Sequence, residues 1–427
     1  MGQEVSRQLF IEAGPIASLS VDFGDNIGPL CGSTVAELHQ VLRNTGDAFL
    51  VEDGIIAHIA PSDELITEWV GTSVLKNSIN LQSKAVIPGF VDAHTHLLWA
   101  GDRSREMRMR QSGMSYAEIA DAGGGIRYTV QNTRENQDFD AIVESRVKTA
   151  ISLGTTALEL KSGYGLDTET ELRMLEAYSR IREKYPDMTF HITWMGAHDI
   201  PTGQSRKEYL ESLLSDQLPA VLEQGYADSV DVFCEPGWFT TEDTEEICKD
   251  AVDGGLAVRL HVDEFVDGGG LNLAAEIGAR TADHAIHSDD DAREKSHISG
   301  TVQGFLPGTP YVLGKDWWPP AKKCIENKWA WSLASDFNPN CQSLSMPMVG
   351  SLATHRMGVD PIDALIAATR NPATTLFDKD QMLTEGIFVV GAKANFNVLH
   401  SNLIESWCQT PGQSPISHTY IMGKRYN

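Results

Sequence analysis

Eight short apolar segments recur between residues 85 and 335, and the stretches between them carry apolar residues at helical spacing. Strands that alternate with helices predict a parallel sheet, and eight such units fit the size of a (β/α)₈ barrel. The expected strands are 85–91, 155–160, 189–195, 230–234, 256–262, 279–284, 301–306 and 330–335. We therefore predict an α/β protein whose central domain, residues 86–385, is a TIM barrel.

Both ends of the chain have the pattern of short strands. Asp53-Gly54 lies between apolar and β-branched residues, which is a hairpin signal. Because chain termini often lie close together, we predict that residues 1–85 and 386–427 form one small β-sandwich domain beside the barrel. Within the barrel, Thr168 and Glu171 predict a capping box at the start of the helix after the second strand.

Most of the expected barrel strands end in residues that can bind a metal ion or move a proton. The sequences at these ends are DAHTH, KSGYG, GAHD, CEPG, DEF, HAIH, LPG and DFNPN. In a (β/α)₈ barrel the carboxyl ends of the strands form the active site. The pattern therefore predicts a catalytic site at this rim.

A metal site is the first chemistry that these strand ends indicate. His94 and His96 follow the first strand two residues apart, so their imidazoles point to the same side. His261 ends the fifth strand and Asp336 ends the eighth, which brings both to the same rim. Three imidazoles and one carboxylate suit a mononuclear hydrolytic site, although they do not distinguish Zn²⁺ from Fe²⁺ or Mn²⁺.

Hydrolysis also needs groups that carry protons. The candidates are Glu264 just beyond the fifth strand, His284 at the end of the sixth, and Asp336. Alone, Glu264 could be a solvated loop carboxylate and His284 a core histidine, but their expected place beside a metal favours catalytic roles. Lys161 follows the second strand rather than the fourth, where a carboxylated lysine that bridges two metals would stand. Glu235 could bridge a second ion in principle, yet we expect a single ion.

The overall charge limits the classes of partner. Thirty-four Lys and Arg against 59 Asp and Glu give a formal net charge of −25. A surface this acidic repels phosphate backbones and anionic headgroups, so we expect a small-molecule substrate and neither nucleic acid nor a membrane as partner. Six scattered cysteines without a CxxC pair, and the lack of a secretory signal, predict a cytoplasmic protein with reduced thiols.

Several segments together resemble one family. PGFVDAHTHLLWAGDR, ELKSGYGLD, GAHDIP, HVDEF, ADHAIH and SDFNPNCQSLSMP are similar, in unbroken order over about residues 85–375, to the imidazolonepropionase family of the amidohydrolase superfamily. The resemblance implies an amidohydrolase-type barrel that opens the ring of 4-imidazolone-5-propanoate with water and yields N-formimino-L-glutamate in histidine degradation. It also implies one Zn or Fe ion per chain, a metal-bound hydroxide as nucleophile, and a homodimer.

The resemblance also assigns roles by position. It implies that the metal ligands are His94, His96, His261 and Asp336, and that Glu264, His284 and Asp336 act in proton transfer. The substrate-binding residues that it implies are Arg103, Tyr164, His198, Glu264, Asn338, Asn340 and Cys341. Arg103 suits the propanoate carboxylate because its guanidinium can donate two parallel hydrogen bonds, the alternative being an ion pair with Asp102 or Glu106. Asn340 and Cys341 depart from the Gly and small hydroxyl residue of many members, which leaves the contacts of this loop open.

Two other functions remain open from the sequence. A nucleobase aminohydrolase, such as a guanine or cytosine deaminase, shares the three histidines and the aspartate, but its substrate has no carboxylate for Arg103 to bind. A catalytically silent barrel would not need all four ligands. For the leading hypothesis, we expect water to add at the ring carbon between the two nitrogens.

Overall fold

The computed structural model describes residues 5–20, 28–34, 38–43, 45–114, 118–119, 122–376 and 384–427. Its strands, in chain order, are β1 (Arg7–Ile11), β2 (Ile16–Ala17), β3 (Leu42–Arg43), β4 (Asp47–Glu52), β5 (Ile55–Pro61), β6 (Ile79–Asn80), β7 (Val86–Pro88), β8 (Phe90–Asp92), β9 (Thr155–Lys161), β10 (Thr189–Ala197), β11 (Ser229–Cys234), β12 (Ala257–Val262), β13 (Thr281–His284), β14 (Val302–Phe305), β15 (Trp331–Leu333), β16 (Phe396–Leu399), β17 (Ile416–Ile421) and β18 (Lys424–Arg425).

The described α-helices follow the strands as the βα pattern predicts. They are α1 (Leu38–Val41), α2 (Ser62–Glu68), α3 (Ser73–Lys76), α4 (Arg105–Gln111), α5 (Gly125–Glu135), α6 (Phe139–Ser152), α7 (Thr168–Lys184), α8 (Arg206–Ser212), α9 (Leu218–Gln224), α10 (Thr241–Asp253), α11 (Gly270–Glu276), α12 (Asp290–Ser299), α13 (Gly308–Val312), α14 (Ala321–Asn327), α15 (Met346–Met357), α16 (Pro361–Ala368) and α17 (Arg370–Ala373). Among the described residues, none of the helices combines the length and the apolar character needed to cross a membrane.

Eight strands, β8 to β15, lie side by side in chain order in the central sheet. Neighbouring strands are parallel, as where Val232 of β11 stands opposite Leu260 of β12. The first and last strands meet just beyond their ends, where Thr95 and Phe337 form a parallel bridge and the His96 N–H donates to the Phe337 carbonyl at 2.9 Å. The sheet is therefore a nearly closed barrel, and the predicted (β/α)₈ fold is confirmed.

The first predicted strand, 85–91, is two strands rather than one. β7 pairs antiparallel with β16, whereas β8 pairs in parallel with β9 of the barrel. Gly89 separates them, and a Cβ at this position would stand 2.2 Å from the Thr156 hydroxyl oxygen. Only glycine allows so close an approach, so the chain passes directly from a terminal sheet into the barrel.

The capping box predicted at the start of α7 is also wrong. The N-cap is Asp167, whose carboxylate accepts the N–H of Thr170 at 2.8 Å, and Thr168 is already helical. Glu171 instead accepts the backbone N–H groups of residues 163, 165 and 166 at 2.7–3.0 Å. A buried carboxylate needs hydrogen-bond donors, and these three backbone N–H groups supply them. Glu171 therefore fixes the loop that follows β9.

Strands from both chain ends form two further sheets. Their strand orders are β5-β4-β1-β6 and β18-β17-β16-β7-β2-β3. Aromatic rings pack between them, with the ring of Phe10 5.3 Å from that of Phe396 and 5.2 Å from that of Tyr420. The predicted hairpin joins β4 to β5 through Asp53 and Gly54, which both have positive φ, as its tight turn requires. Both termini therefore contribute strands that pack beside the barrel.

The barrel interior contains charged side chains that neutralise one another. Lys161 Nζ lies 2.7 Å from the Glu159 carboxylate and 2.6 Å from the Asp231 carboxylate, and all three side chains are fully buried. Arg259 Nε lies 2.9 Å from Glu159. Buried charges are tolerated when they are paired in this way. This network lies next to the strand ends that carry the predicted site.

Candidate metal centre

The structure brings together the four predicted metal ligands and one predicted proton carrier at the carboxyl rim of the barrel. These residues are His94, His96, His261, His284 and Asp336, and none is more than 3% exposed. The first two follow β8 directly, His261 lies in β12, His284 ends β13, and Asp336 follows β15. His284 and Asp336 have positive φ values of 68° and 51°, a strained conformation that is typical of functional sites.

The possible ligand atoms stand at the spacing that a shared ion needs. His96 Nε2 lies 3.3 Å from His261 Nε2. Asp336 Oδ1 lies 3.6 Å from His94 Nε2 and 3.9 Å from His96 Nε2. Two nitrogens bound to one tetrahedral Zn²⁺ at about 2.0–2.1 Å would be separated by about 3.4 Å. The observed spacing therefore fits a single ion between these side chains.

Two carboxylates orient the imidazoles. His94 Nδ1 donates to Asp283 Oδ2 at 2.7 Å, and His261 Nδ1 donates to Asp231 Oδ1 at 2.9 Å. A proton held on Nδ1 leaves the Nε2 lone pair available, which is the arrangement found in many metal-binding histidines. His261 and Lys161 hold the pKa of Asp231 well below its usual value, although burial opposes ionisation.

The residues present fit a metal ion. Within the described part of the chain, His94 Nε2 is buried and has no hydrogen-bond partner. Burial, followed by the charge of Lys161, holds the pKa of His94 well below its usual value. Burial, followed by the neighbouring His198, does the same for the pKa of His96. Neutral imidazoles with unpaired nitrogens beside a carboxylate are the donor set that Zn²⁺ or Fe²⁺ prefers.

The remaining predicted proton carrier, Glu264, stands beside this cluster. Glu264 Oε2 lies 3.7 Å from His284 Nε2, and both side chains are buried. Burial, followed by the charge of Asp336, raises the pKa of Glu264 well above its usual value, whereas burial lowers that of His284. Glu264 is therefore not a solvated loop carboxylate. A buried carboxyl group whose pKa is raised, next to an imidazole whose pKa is lowered, can both accept and return a proton.

Both carboxylate oxygens of Glu235 accept backbone hydrogen bonds. Its carboxylate accepts the backbone N–H groups of Glu264, Phe265 and Val266 at 2.9–3.0 Å. These bonds fix the loop that carries Glu264, which gives the carboxylate after the fourth strand a structural role.

A cavity of about 870 Å³ opens above the cluster. Its wall contains the substrate-binding residues expected from the sequence, namely Arg103, Tyr164, His198, Glu264, Asn338, Asn340 and Cys341. His198 stacks on the ring of His96 at 4.8 Å, and its Nδ1 donates to the Gly163 carbonyl at 2.9 Å. Burial lowers the pKa of His198 to about 4, so its ring faces the cavity as a neutral imidazole.

Arg103 forms an ion pair with Glu106, which sequence analysis gave as the alternative to substrate binding. Its Nε and Nη2 donate to the two oxygens of Glu106 at 2.8 Å each, and the pair is buried in the cavity wall. Glu106 also accepts the N–H of Gly125 at 2.8 Å, which fixes the orientation of the guanidinium. Arg110, Arg127 and Lys315 add positive charge to the same wall. The cavity lining therefore contains four cationic side chains, together with the acids Asp199, Glu264 and Asp336.

Asn338 holds together the loop that contains Asn340 and Cys341. Its Oδ1 accepts the N–H groups of Asn340 and Cys341 at 2.8 and 3.0 Å, and its Nδ2 donates to the Asp336 carbonyl at 2.9 Å. Asn340 Oδ1 accepts a long hydrogen bond from Arg110 at 3.4 Å. Asn338 thus shapes the loop, while Asn340 lies between the loop and a cationic side chain.

Sequence reasoning missed the residues that support the cluster. Asp231 and Asp283 orient the imidazoles, and the hydroxyl of Thr309 donates a short hydrogen bond to Asp336 Oδ2. A detectable signal existed for two of them, because an acid inside an otherwise apolar strand must have a buried partner. Thr309 gave no such signal, since it lies in a helix, α13, that is distant in sequence.

Comparison with known proteins gives the family. No family model matches the chain. The imidazolonepropionase of Symbiobacterium thermophilum is 40% identical over 338 residues, which cover 78% of this chain and 79% of that protein. That of Solibacter usitatus is 34% identical over 423 residues, which cover 98% and 96%. The chain belongs to the imidazolonepropionase family. A human relative, named probable imidazolonepropionase, is 36% identical over 358 residues, which cover 82% and 83%.

Several solved structures have the same fold as this member of the imidazolonepropionase family, although their sequence identity to it is low. A 5-methylcytosine deaminase from Klebsiella pneumoniae, liganded with 5-fluorocytosine, has a TM-score of 0.69 at 18% identity and covers 98% of this chain and 96% of its own. An adenosine deaminase from Xanthomonas campestris with bound Zn has a TM-score of 0.64 at 16% identity and covers 98% and 92%. This likeness shows a shared TIM-barrel fold and does not favour a deaminase activity.

Proposed function

We propose that this chain hydrolyses 4-imidazolone-5-propanoate to N-formimino-L-glutamate. The convergence of His94, His96, His261 and Asp336 beneath a cavity whose lining includes Arg103 and Arg110 carries the proposal, because it joins a hydrolytic ligand set to cationic side chains that can bind a carboxylate-bearing substrate. Membership in the imidazolonepropionase family supports it.

One Zn or Fe ion would be held by these four side chains. Such an ion, when bound, lowers the pKa of a coordinated water from about 15.7 to near 7 and so supplies hydroxide at neutral pH. Asp231 and Asp283 accept the Nδ1 protons of His261 and His94 and so aim the Nε2 atoms of these imidazoles at the centre. The bond from Thr309 leaves Asp336 Oδ1 directed towards His94 and His96.

The atom balance of the reaction corrects one expectation from the sequence. The formimino group of the product keeps the ring carbon that lies between the two nitrogens, so water does not add there. Water adds instead to the ring carbonyl carbon, the bond from that carbon to its ring nitrogen breaks, and the carbonyl carbon becomes a carboxylate. Glu264 accepts a proton as water adds, and Glu264 or His284 delivers one to the leaving nitrogen.

The cavity wall would bind the rest of the substrate. Arg103, held by Glu106, and the nearby Arg110 would attract the propanoate carboxylate. Tyr164 and His198, which pack against each other at 5.0 Å, would hold the ring over His96. We assign smaller contacts to Asn338, Asn340 and Cys341, which also line the cavity. We further propose a cytoplasmic homodimer that binds no nucleic acid.

An assay with freshly prepared 4-imidazolone-5-propanoate tests the function. We expect the ring absorbance to decay and N-formimino-L-glutamate to appear, both in proportion to the amount of metal-loaded protein. Guanine and cytosine are the matched comparison substrates. Release of ammonia from either nucleobase, without turnover of the imidazolone, would contradict the proposal.

Arg103→Met is expected to raise KM for 4-imidazolone-5-propanoate by about 10–100-fold, because a charged hydrogen bond contributes about 1.5–3 kcal/mol. Steady-state kinetics at full metal loading measure the effect. Arg127→Met removes the same charge from an exposed position of the cavity rim and is expected to change KM little. An unchanged KM in Arg103→Met would exclude Arg103 as the carboxylate anchor.

A further inference from the structure

Lys161 is a buried cation that the proposed reaction does not use. It ends β9 and is completely shielded from solvent. Its Nζ lies 2.6 Å from Asp231 Oδ2, 2.7 Å from Glu159 Oε1 and 3.9 Å from Asp283 Oδ2. Arg259 pairs with Glu159 alone at 2.9 Å, whereas Lys161 faces all three acids, and a buried cation of this kind is tolerated only where its contacts are made.

Asp231 connects Lys161 to one of the proposed metal ligands. Its Oδ1 accepts a hydrogen bond from His261 Nδ1 at 2.9 Å, and its Oδ2 accepts a hydrogen bond from Lys161 Nζ. A carboxylate held through both oxygens cannot rotate about its Cβ–Cγ bond without losing one of the two contacts. Lys161 therefore fixes the acceptor that orients His261.

Asp283 connects Lys161 to a second ligand. Its Oδ2 accepts the Nδ1 proton of His94 at 2.7 Å and faces Lys161 Nζ. Its Oδ1 faces Gly304 of β14, where a Cβ would stand only 2.1 Å away. The Asp283 carboxylate is thus packed between His94, Lys161 and the backbone of the next strand.

We infer that Lys161 is a positioning residue of the metal centre. It holds Asp231 by a hydrogen bond and attracts the Asp283 carboxylate from 3.9 Å, and these two acceptors direct the Nε2 atoms of His261 and His94 towards the ion. The inference rests on the metal ligands of the proposed function, but it does not depend on the identity of the substrate. Partners of ligand imidazoles typically contribute about 10–100-fold to metal affinity.

The test compares the Zn²⁺ affinity of full-length wild type, Lys161→Met and Glu159→Gln by competition with a chelator. Glu159 is a matched control because its carboxylate contacts Lys161, Arg259 and Thr193 but makes no contact with a ligand imidazole. We expect the Kd for Zn²⁺ to rise about 10–100-fold in Lys161→Met and to stay within about threefold of wild type in Glu159→Gln. Both variants are expected to unfold at lower temperature.

Two results would overturn the inference: wild-type Zn²⁺ affinity in Lys161→Met, or equal weakening in Glu159→Gln. If Lys161→Met does not fold, Lys161→Gln, which keeps a polar end group without the charge, is judged by the same criteria. Zn²⁺ binding needs no substrate. A protein that shows the expected difference in affinity but no turnover of the imidazolone would contradict only the proposed function.

Discussion

Glu264→Gln is expected to keep its metal ion while losing turnover of 4-imidazolone-5-propanoate by about 10²–10⁴-fold. The amide has nearly the same shape as the carboxyl group but cannot accept and return a proton. Glu264 is buried, lies 3.7 Å from His284 Nε2 and lines the cavity, so the substitution changes proton transfer more than structure. The measurement is kcat, with the metal content determined on the same preparation.

The metal content separates the two roles that Glu264 could have. Full metal content with a low kcat is the expected result, since the structure places Glu264 beside the ligands rather than among them. A wild-type kcat would clear Glu264 of proton transfer. Loss of the metal together with activity would show instead that Glu264 holds the ion or its ligands.

His261→Ala is expected to release the metal ion and to reduce kcat/KM by at least about 10³-fold, because a catalytic metal contributes several kcal/mol and about 1.4 kcal/mol corresponds to a factor of ten. His261 Nε2 lies 3.3 Å from that of His96, so the substitution removes one of the three clustered imidazoles of the predicted ligand set. Metal analysis after gel filtration and the imidazolone assay measure the two effects.

His191→Ala is the matched control for the loss of a buried imidazole. His191 lies in β10, bonds to the Ser229 hydroxyl at 2.6 Å and is outside the cluster. We expect it to lower thermal stability while the metal content stays near that of wild type. Full metal content in His261→Ala, or an equal loss in His191→Ala, would contradict the assigned ligand set.

The barrel could be predicted because its strands are almost entirely buried. A parallel strand that is covered on both faces is mostly apolar, as Ser229–Cys234 is apart from Ser229 and Asp231, and all eight predicted runs overlap a barrel strand. Boundaries were less predictable where the backbone changes sheets without a change of composition. The passage from β7 to β8 at Gly89 depends on close contact with Thr156, which is distant in sequence.

The candidate site was predictable as far as it follows the strand ends. His94 and His96 could be found because they follow a strand directly, and His261 and Asp336 because every strand of a barrel ends at the same rim. The Arg103–Glu106 pair was only one of two alternatives, since helix spacing allows the contact but does not require it. The role of Lys161 depends on register between strands and could not be inferred from local sequence.

The residues that support the loops of the site also could not be predicted from the sequence. Glu171 and Glu235 each bind three backbone N–H groups of a neighbouring loop, which no sequence motif indicates. Such contacts arise from the three-dimensional course of the loops. Ligand chemistry could therefore be inferred from sequence, whereas the shape that holds the ligands needed the structure.

Anomalous diffraction from crystals of the Zn²⁺-loaded protein tests most directly whether four distant side chains share one ion. The account predicts a single strong peak at about 2.0–2.2 Å from one nitrogen each of His94, His96 and His261 and from an oxygen of Asp336. A second strong peak beside Glu235, or a peak that lies beyond bonding distance of His261 and Asp336, would contradict it.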